Sequence, residues 1–164
     1  MLVLLNNFRI RFYDAAKPEQ VPARYTVGPD QQLAHLIDGT AALVDLFVLG
    51  PNGFHRRLTG RSDLFSVSVE VGAAGASFLR FENLGDGAQV IAMTDRAYGA
   101  APATVTLGGR EVRSVRLDLS GSHGWYDRQF ASGGQTWRIA GHVEDGKGSY
   151  SDPAAGGAGP LVVA

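Results

Sequence analysis

GHVEDGKG, Gly141 to Gly148, falls one position short of the phosphate-cradling loop GxxxxGK[ST]. That loop needs a hydroxyl after its lysine to hold magnesium, a backbone free of nearby negative charge, and a helix behind it. Here Gly148 takes the hydroxyl position, Glu144 and Asp145 would repel phosphate, and SYSDPAAGG cannot form the helix. The motif is rejected. Gly121-Ser122-His123-Gly124 lacks the GxSxG spacing, so no nucleophile elbow presents Ser122. His35, His55, His123 and His142 contain no pair at a zinc-ligand spacing such as HExxH. Cysteine is absent, which removes thiolate metal sites and a thiol nucleophile, and the acids are scattered through turns and not paired for hydrolysis. No catalytic, metal or cofactor-binding residue is expected.

Aromatic and ionic residues offer binding chemistry in its place. SHGWYD, Ser122 to Asp127, is the densest aromatic segment, and strand alternation sends Trp125 and Tyr126 to opposite faces. Tyr126 shares its side with Phe130 and is expected in the core. Trp125 is either core or a rigid ring at a lipid or sugar interface. With Phe54 and His55 in GPNGFHRRLTG, it makes the candidate set for membrane or ligand contact. Trp137 is expected in the core, His142 on a solvated strand position beside Arg138, and His123 in a loop bonded to a nearby backbone carbonyl. Asp45 and Arg57 flank one turn, GPNG, as Asp127 and Arg138 flank another, ASGG. Each pair is expected directly opposite across a hairpin, with the tips on Pro51 and between Ser132 and Gly133. Such a pair contributes roughly 0.2 to 1 kcal/mol, so it sets register more than stability.

These residues recur. PARYTVG (from Pro22) matches PATVTLG (from Pro102) at an offset of 80, Asp45 matches Asp127 at 82, and Arg57 and Gly60 match Arg138 and Gly141 at 81. Anchors in one order at nearly constant spacing imply a fold used twice. LFSVSVEV and EVRSVRLDL alternate with period two, and SFLRFEN, AQVIAMT, ATVTL, WYDRQF and TWRIAGHV lie between Gly, Asp and Pro turn signals. The expected class is all-β: two tandem immunoglobulin-like β-sandwich repeats, the first lacking one strand. The first repeat covers 1–62, the second 63–145, and a Gly/Ala/Pro-rich tail covers 146–164. In the first repeat LVLLNN would answer FLRFEN, and QQLAHLID, despite its helix-like leucines, would answer REVRSVRLDL.

The chain has 164 residues, 45% of them hydrophobic and 19% charged, with a formal net charge of -1. That composition buries a core but provides no global positive field for nucleic acid. Any attraction to membrane is therefore assigned to exposed aromatics and not to a basic patch. MLVLLNNF is too short and lacks the flanks of a signal peptide, so an exported form would carry its address upstream of Met1.

GPNGFHRRLTG, SHGWYD and AGHVEDGKGSYSDPA, with PARYTVG upstream, resemble the repeated C-terminal region of bacterial phosphocholine-preferring phospholipases C, the haemolytic and non-haemolytic secreted enzymes. The resemblance spans about residues 6 to 155. In that family an upstream alkaline-phosphatase-like domain carries the metals and nucleophile, and none of those residues has a counterpart here. The resemblance implies a non-catalytic accessory region without a cofactor, secreted or periplasmic as part of its parent. Its partners would be the upstream catalytic domain and a phospholipid membrane surface. A free-standing carbohydrate-binding or adhesion sandwich is the alternative. The chain departs from the family at Arg128, where an apolar residue usually follows WYD, and in its terminal AGGAGPLVVA.

Overall fold

The computed structural model describes residues 8–28, 43–72, 75–144, 148 and 150–155. Among these the chain is all-β. The strands in order are β1 (Phe8–Asp14), β2 (Ala23–Val27), β3 (Val44–Leu49), β4 (His55–Gly60), β5 (Phe65–Val71), β6 (Ser77–Asn83), β7 (Gln89–Asp95), β8 (Ala103–Leu107), β9 (Val112–Leu117), β10 (Trp125–Ser132) and β11 (Gln135–His142). They form an eight-stranded sheet in the order β2-β1-β3-β4-β11-β10-β7-β8 and a three-stranded sheet in the order β5-β6-β9.

The two sheets pack as a sandwich because alternation gives each an apolar face. Phe65, Val67 and Val69 of β5 and Leu79 and Phe81 of β6 point at Ile91, Leu107, Phe130 and Ile139 of the larger sheet. Phe65, Phe81, Phe130, Ile91, Leu107 and Ile139 are wholly covered. At about 1.5–3 kcal/mol for each such side chain, this cluster outweighs any surface ion pair. Phe81 meets Phe130 edge-on at 5.4 Å between centroids. A buried amide joins the sheets at one end, where Gln135 accepts from the Leu64 N–H at 2.9 Å and donates to the Phe65 carbonyl at 2.5 Å. Tyr126 is 4% exposed, as its alternation implied. Trp137 is half-buried against the same cluster, its indole N–H on the Phe65 carbonyl at 3.2 Å.

The core of the small sheet lies wholly within residues 64–143. Residues 8–60 add β2-β1-β3-β4 to the large sheet, edge to edge through β4 and β11. Matched by the offsets near 81, the strand order reads the same from either end: β2-β1-β3-β4 inward from one edge, β8-β7-β10-β11 inward from the other. At the centre Arg57 lies directly opposite Arg138, the residues matched at offset 81. LVLLNN and QQLAHLID, read as strands of the first repeat, lie outside the described residues.

The hairpin registers differ from expectation by one residue at each tip. Asp45 stands opposite Thr59 and Asp127 opposite Ala140, while their arginines face Phe47 and Gln129. In the second hairpin the cause is a two-residue turn, Gly133-Gly134, with φ of 54° and 84° at its centre. A turn with positive φ at both positions is the tight type that matches strand twist, and it forces Ser132 onto Gln135. The first hairpin centres on Asn52, between Leu49 and His55. Both ion pairs still form, diagonally, because the arginine side chain spans the extra step.

Candidate functional site at the β10–β11 end of the outer face

The face of the large sheet turned away from β5-β6-β9 carries Asp45, His55, Arg57, Trp125, Asp127, Arg138 and His142. Arg57 donates through Nε and Nη2 to both oxygens of Asp45, at 2.9 and 2.8 Å. Arg138 does the same for Asp127, with Nε at 2.8 Å and Nη2 at 2.5 Å. The Asp127 side chain is only 12% exposed, against 36% for Asp45, so the second pair is the better shielded from solvent. Hydrogen bonding to its carboxylate holds each arginine above its usual pKa. His55 lies half-buried among these cations. Desolvation first, and the Arg138 charge second, hold its imidazole below the usual histidine value.

Phe54 and Trp125 do not project as a pair of free rings. Phe54 is half-buried, with the Arg56 guanidinium 4.3 Å above its ring. Arg56 also donates to the Ala140 carbonyl at 2.7 Å and to the Tyr126 hydroxyl at 2.9 Å, tying β4 to β10 and β11. Trp125 is half-buried too, its indole N–H on the Tyr150 carbonyl at 2.9 Å and its ring 4.8 Å from that of His142. Gly53 stands so close that an added Cβ would lie 3.0 Å from the indole.

His142 departs from its expected solvated position. Alternation does place it on the outer face beside Arg138, but its side chain is only 6% exposed. Nδ1 lies 3.1 Å from a Glu144 oxygen and Nε2 lies 2.9 Å from the His123 carbonyl. Gly124 permits this approach: it has φ of +90°, and a Cβ there would stand 2.8 Å from Nε2. The His123 ring itself stacks on Tyr150 at 4.2 Å.

Residues 150–155 run back over this end of the sheet, and sequence reading missed their partners. The Tyr98 hydroxyl donates to Asp152 at 2.9 Å. Burial first, then that bond, pushes the phenol far above its usual pKa. Under the segment lies a cavity of about 200 Å³ bordered by Tyr98, Trp125, Asp127, Gly141 and Asp152. Its polar side chains pair with neighbours, Tyr98 with Asp152 and Asp127 with Arg138, so the arrangement holds residues 150–155 against the sheet. Tyr98 gave no warning in the sequence because its partner is far along the chain and outside any regular strand.

Arg128, singled out in the sequence as a departure from the family pattern, has a partner that sequence reading missed. It sits 9% exposed on the inner face of β10, opposite Asp95 on β7, and its Nη1 meets the carboxylate at 3.0 Å. Asp95 also accepts from the backbone N–H groups of Ala97 and Tyr98 on one oxygen and of Ala100 on the other. Burial alone would raise its pKa, but these bonds and the Arg128 charge together hold it below the usual carboxylate value. The Arg128 Nε has no hydrogen-bond partner.

A family model described as the C-terminal domain of bacterial phospholipase C matches residues 7–61. The non-hemolytic phospholipase C of Burkholderia pseudomallei (strain K96243) is 36% identical over 125 residues, which is 70% of this chain and 18% of that protein. The Pseudomonas aeruginosa enzyme of the same name is 31% identical over 159 residues, 88% of this chain and 23% of that protein. The chain thus spans about a fifth of the length of these relatives, in their C-terminal region. Residues 7–61 belong to the family of bacterial phospholipase C C-terminal domains, and the chain as a whole is similar to the C-terminal region of non-hemolytic phospholipases C.

Proposed function

We propose that this chain is a non-catalytic accessory region of a bacterial phospholipase C that hydrolyses phosphatidylcholine. It supports the catalytic domain of its parent, secreted or periplasmic, and assists that domain's encounter with substrate. The observation that carries this reading is the match itself, since both relatives are phospholipases C and the chain aligns with less than a quarter of either. The site geometry supports it. The polar groups around the cavity bond one another, as expected of an element that holds residues 150–155 in place.

The test compares the parent enzyme with a form that ends before this region. The truncated enzyme is expected to retain turnover of a soluble chromogenic phosphocholine ester but to lose half-life at elevated temperature, or to lose rate on phosphatidylcholine vesicles. The isolated chain is expected to hydrolyse neither substrate. Turnover by the isolated chain that disappears on substituting its histidines, or a truncated enzyme indistinguishable in all three measurements, overturns the reading.

A further inference from the structure

We propose that the outer face of the β1–β2 edge is a docking surface for anionic phospholipid. Register places Arg11 of β1 directly opposite Arg24 of β2, with Arg9 one alternation along β1 on the same face, opposite Thr26. All three side chains are exposed. Like charges directly opposite in a ladder destabilise it, so this placement costs the sheet something that an external anion would return.

Among the described residues of the strands on this face, the nearby carboxylates are already engaged. Asp45 is held by both arms of Arg57 and Asp127 by both arms of Arg138. Among the described residues Arg9, Arg11 and Arg24 have no carboxylate within ion-pair distance; Asp14, at the end of β1, is engaged by Lys17 and by the Ala16 N–H. The chain's net charge of -1 therefore conceals a segregated cationic edge. Beside it on the same face, Tyr13 stacks on Phe47 at 4.5 Å, and Leu49, opposite Arg11, is 40% exposed.

Exposed guanidiniums on an open sheet face enclose nothing, so they are poorly built for one small anion. They suit an array of phosphates, each of which a guanidinium grips through paired N–H groups. Tyr13, Phe47 and Leu49 add the amphipathic surface that settles at a headgroup layer. A lipid surface is the occupant that combines both, and the choice rests on the accessory reading above. Each arginine near an anionic bilayer is expected to strengthen binding about fivefold, and the three together roughly a hundredfold.

The test is co-sedimentation of the 164-residue chain with phosphatidylcholine vesicles, with and without phosphatidylglycerol, at low and high salt. Expected are binding that needs phosphatidylglycerol and falls with salt, a loss of roughly a hundredfold in R9Q/R11Q/R24Q, and partial recovery in R9K/R11K/R24K, which restores the charge but not the paired N–H grip. All three side chains are exposed, so the thermal melt of the glutamine variant should match or exceed that of the parent chain; R24Q alone, with an intermediate loss, serves if it does not. Equal binding to neutral vesicles, unchanged binding by the glutamine variant, or binding of inorganic phosphate without vesicles overturns the proposal. A chain that sediments with no vesicle also overturns it, while the truncation test of the supporting role stands independently.

Discussion

His55 shows how a single residue takes its behaviour from its neighbours. Partly desolvated, and flanked by Arg138, Arg56 and Arg57, its imidazole is held below the usual value of 6.5. The folded state therefore prefers the neutral ring, while the unfolded chain binds the proton first as pH falls. Stability from this group is fully present above the unfolded value and declines as pH drops through it toward the lower folded value. Thermal melts from neutral pH down through 6.5 should show a steeper loss for the parent chain than for His55→Gln. Parallel curves would mean that His55 is not perturbed. A role for His55 as a cation at a membrane is disfavoured by the same argument.

At the scale of elements, Arg128 and Asp95 join β10 to β7 and to the loop that carries Tyr98. Their contributions are unequal, because the Asp95 carboxylate keeps the N–H groups of Ala97, Tyr98 and Ala100 when the arginine is removed. Arg128, in contrast, brings a buried Nε without a partner, a cost that an apolar side chain does not incur. Arg128→Met is expected to change stability by no more than about 1 kcal/mol, in line with the frequent near-neutrality of replacing buried charge by volume. Asp95→Ala leaves three N–H donors and a buried cation unpaired and is expected to cost about 2–4 kcal/mol. Urea unfolding of both variants decides this, and the reverse ranking would refute it. The arginine at a position the family resemblance made apolar thus fits without distorting the strand.

For the whole molecule the decisive contact is β4 on β11. The buried cluster lies between Phe65 and Ile139, so residues 61–155 hold a core of their own. Removing residues 1–60 would nonetheless leave β11 as an open edge beside Trp137 and Ile139, and an open edge recruits another strand. Since β4 meets β11 with Arg57 against Arg138, a second copy of β11 turned about Arg138 is the natural replacement. A chain of residues 61–155 is expected to fold with a lower Tm than the full chain and to dimerise with concentration in analytical ultracentrifugation. A monomer with an unchanged Tm would show that the first half contributes nothing to the second.

Period-two alternation in LFSVSVEV and SFLRFEN sufficed to identify β5 and β6 and the sides that face the core, because side-chain direction in a strand is a local property. It also placed Tyr126 in the core, and the matched Asp and Arg anchors led to two ion pairs that do form. Register was not legible to the residue, because it depends on the backbone of Gly133-Gly134 and Asn52 at the turns. The burial of His142, the tie from Tyr98 to Asp152 and the covering of Trp125 depend on loops and a C-terminal segment from distant parts of the chain. The cationic edge was hidden for the same reason. A count of charges is a sum over the chain, whereas a surface potential depends on which arginines the pairing of β1 with β2 brings to one face.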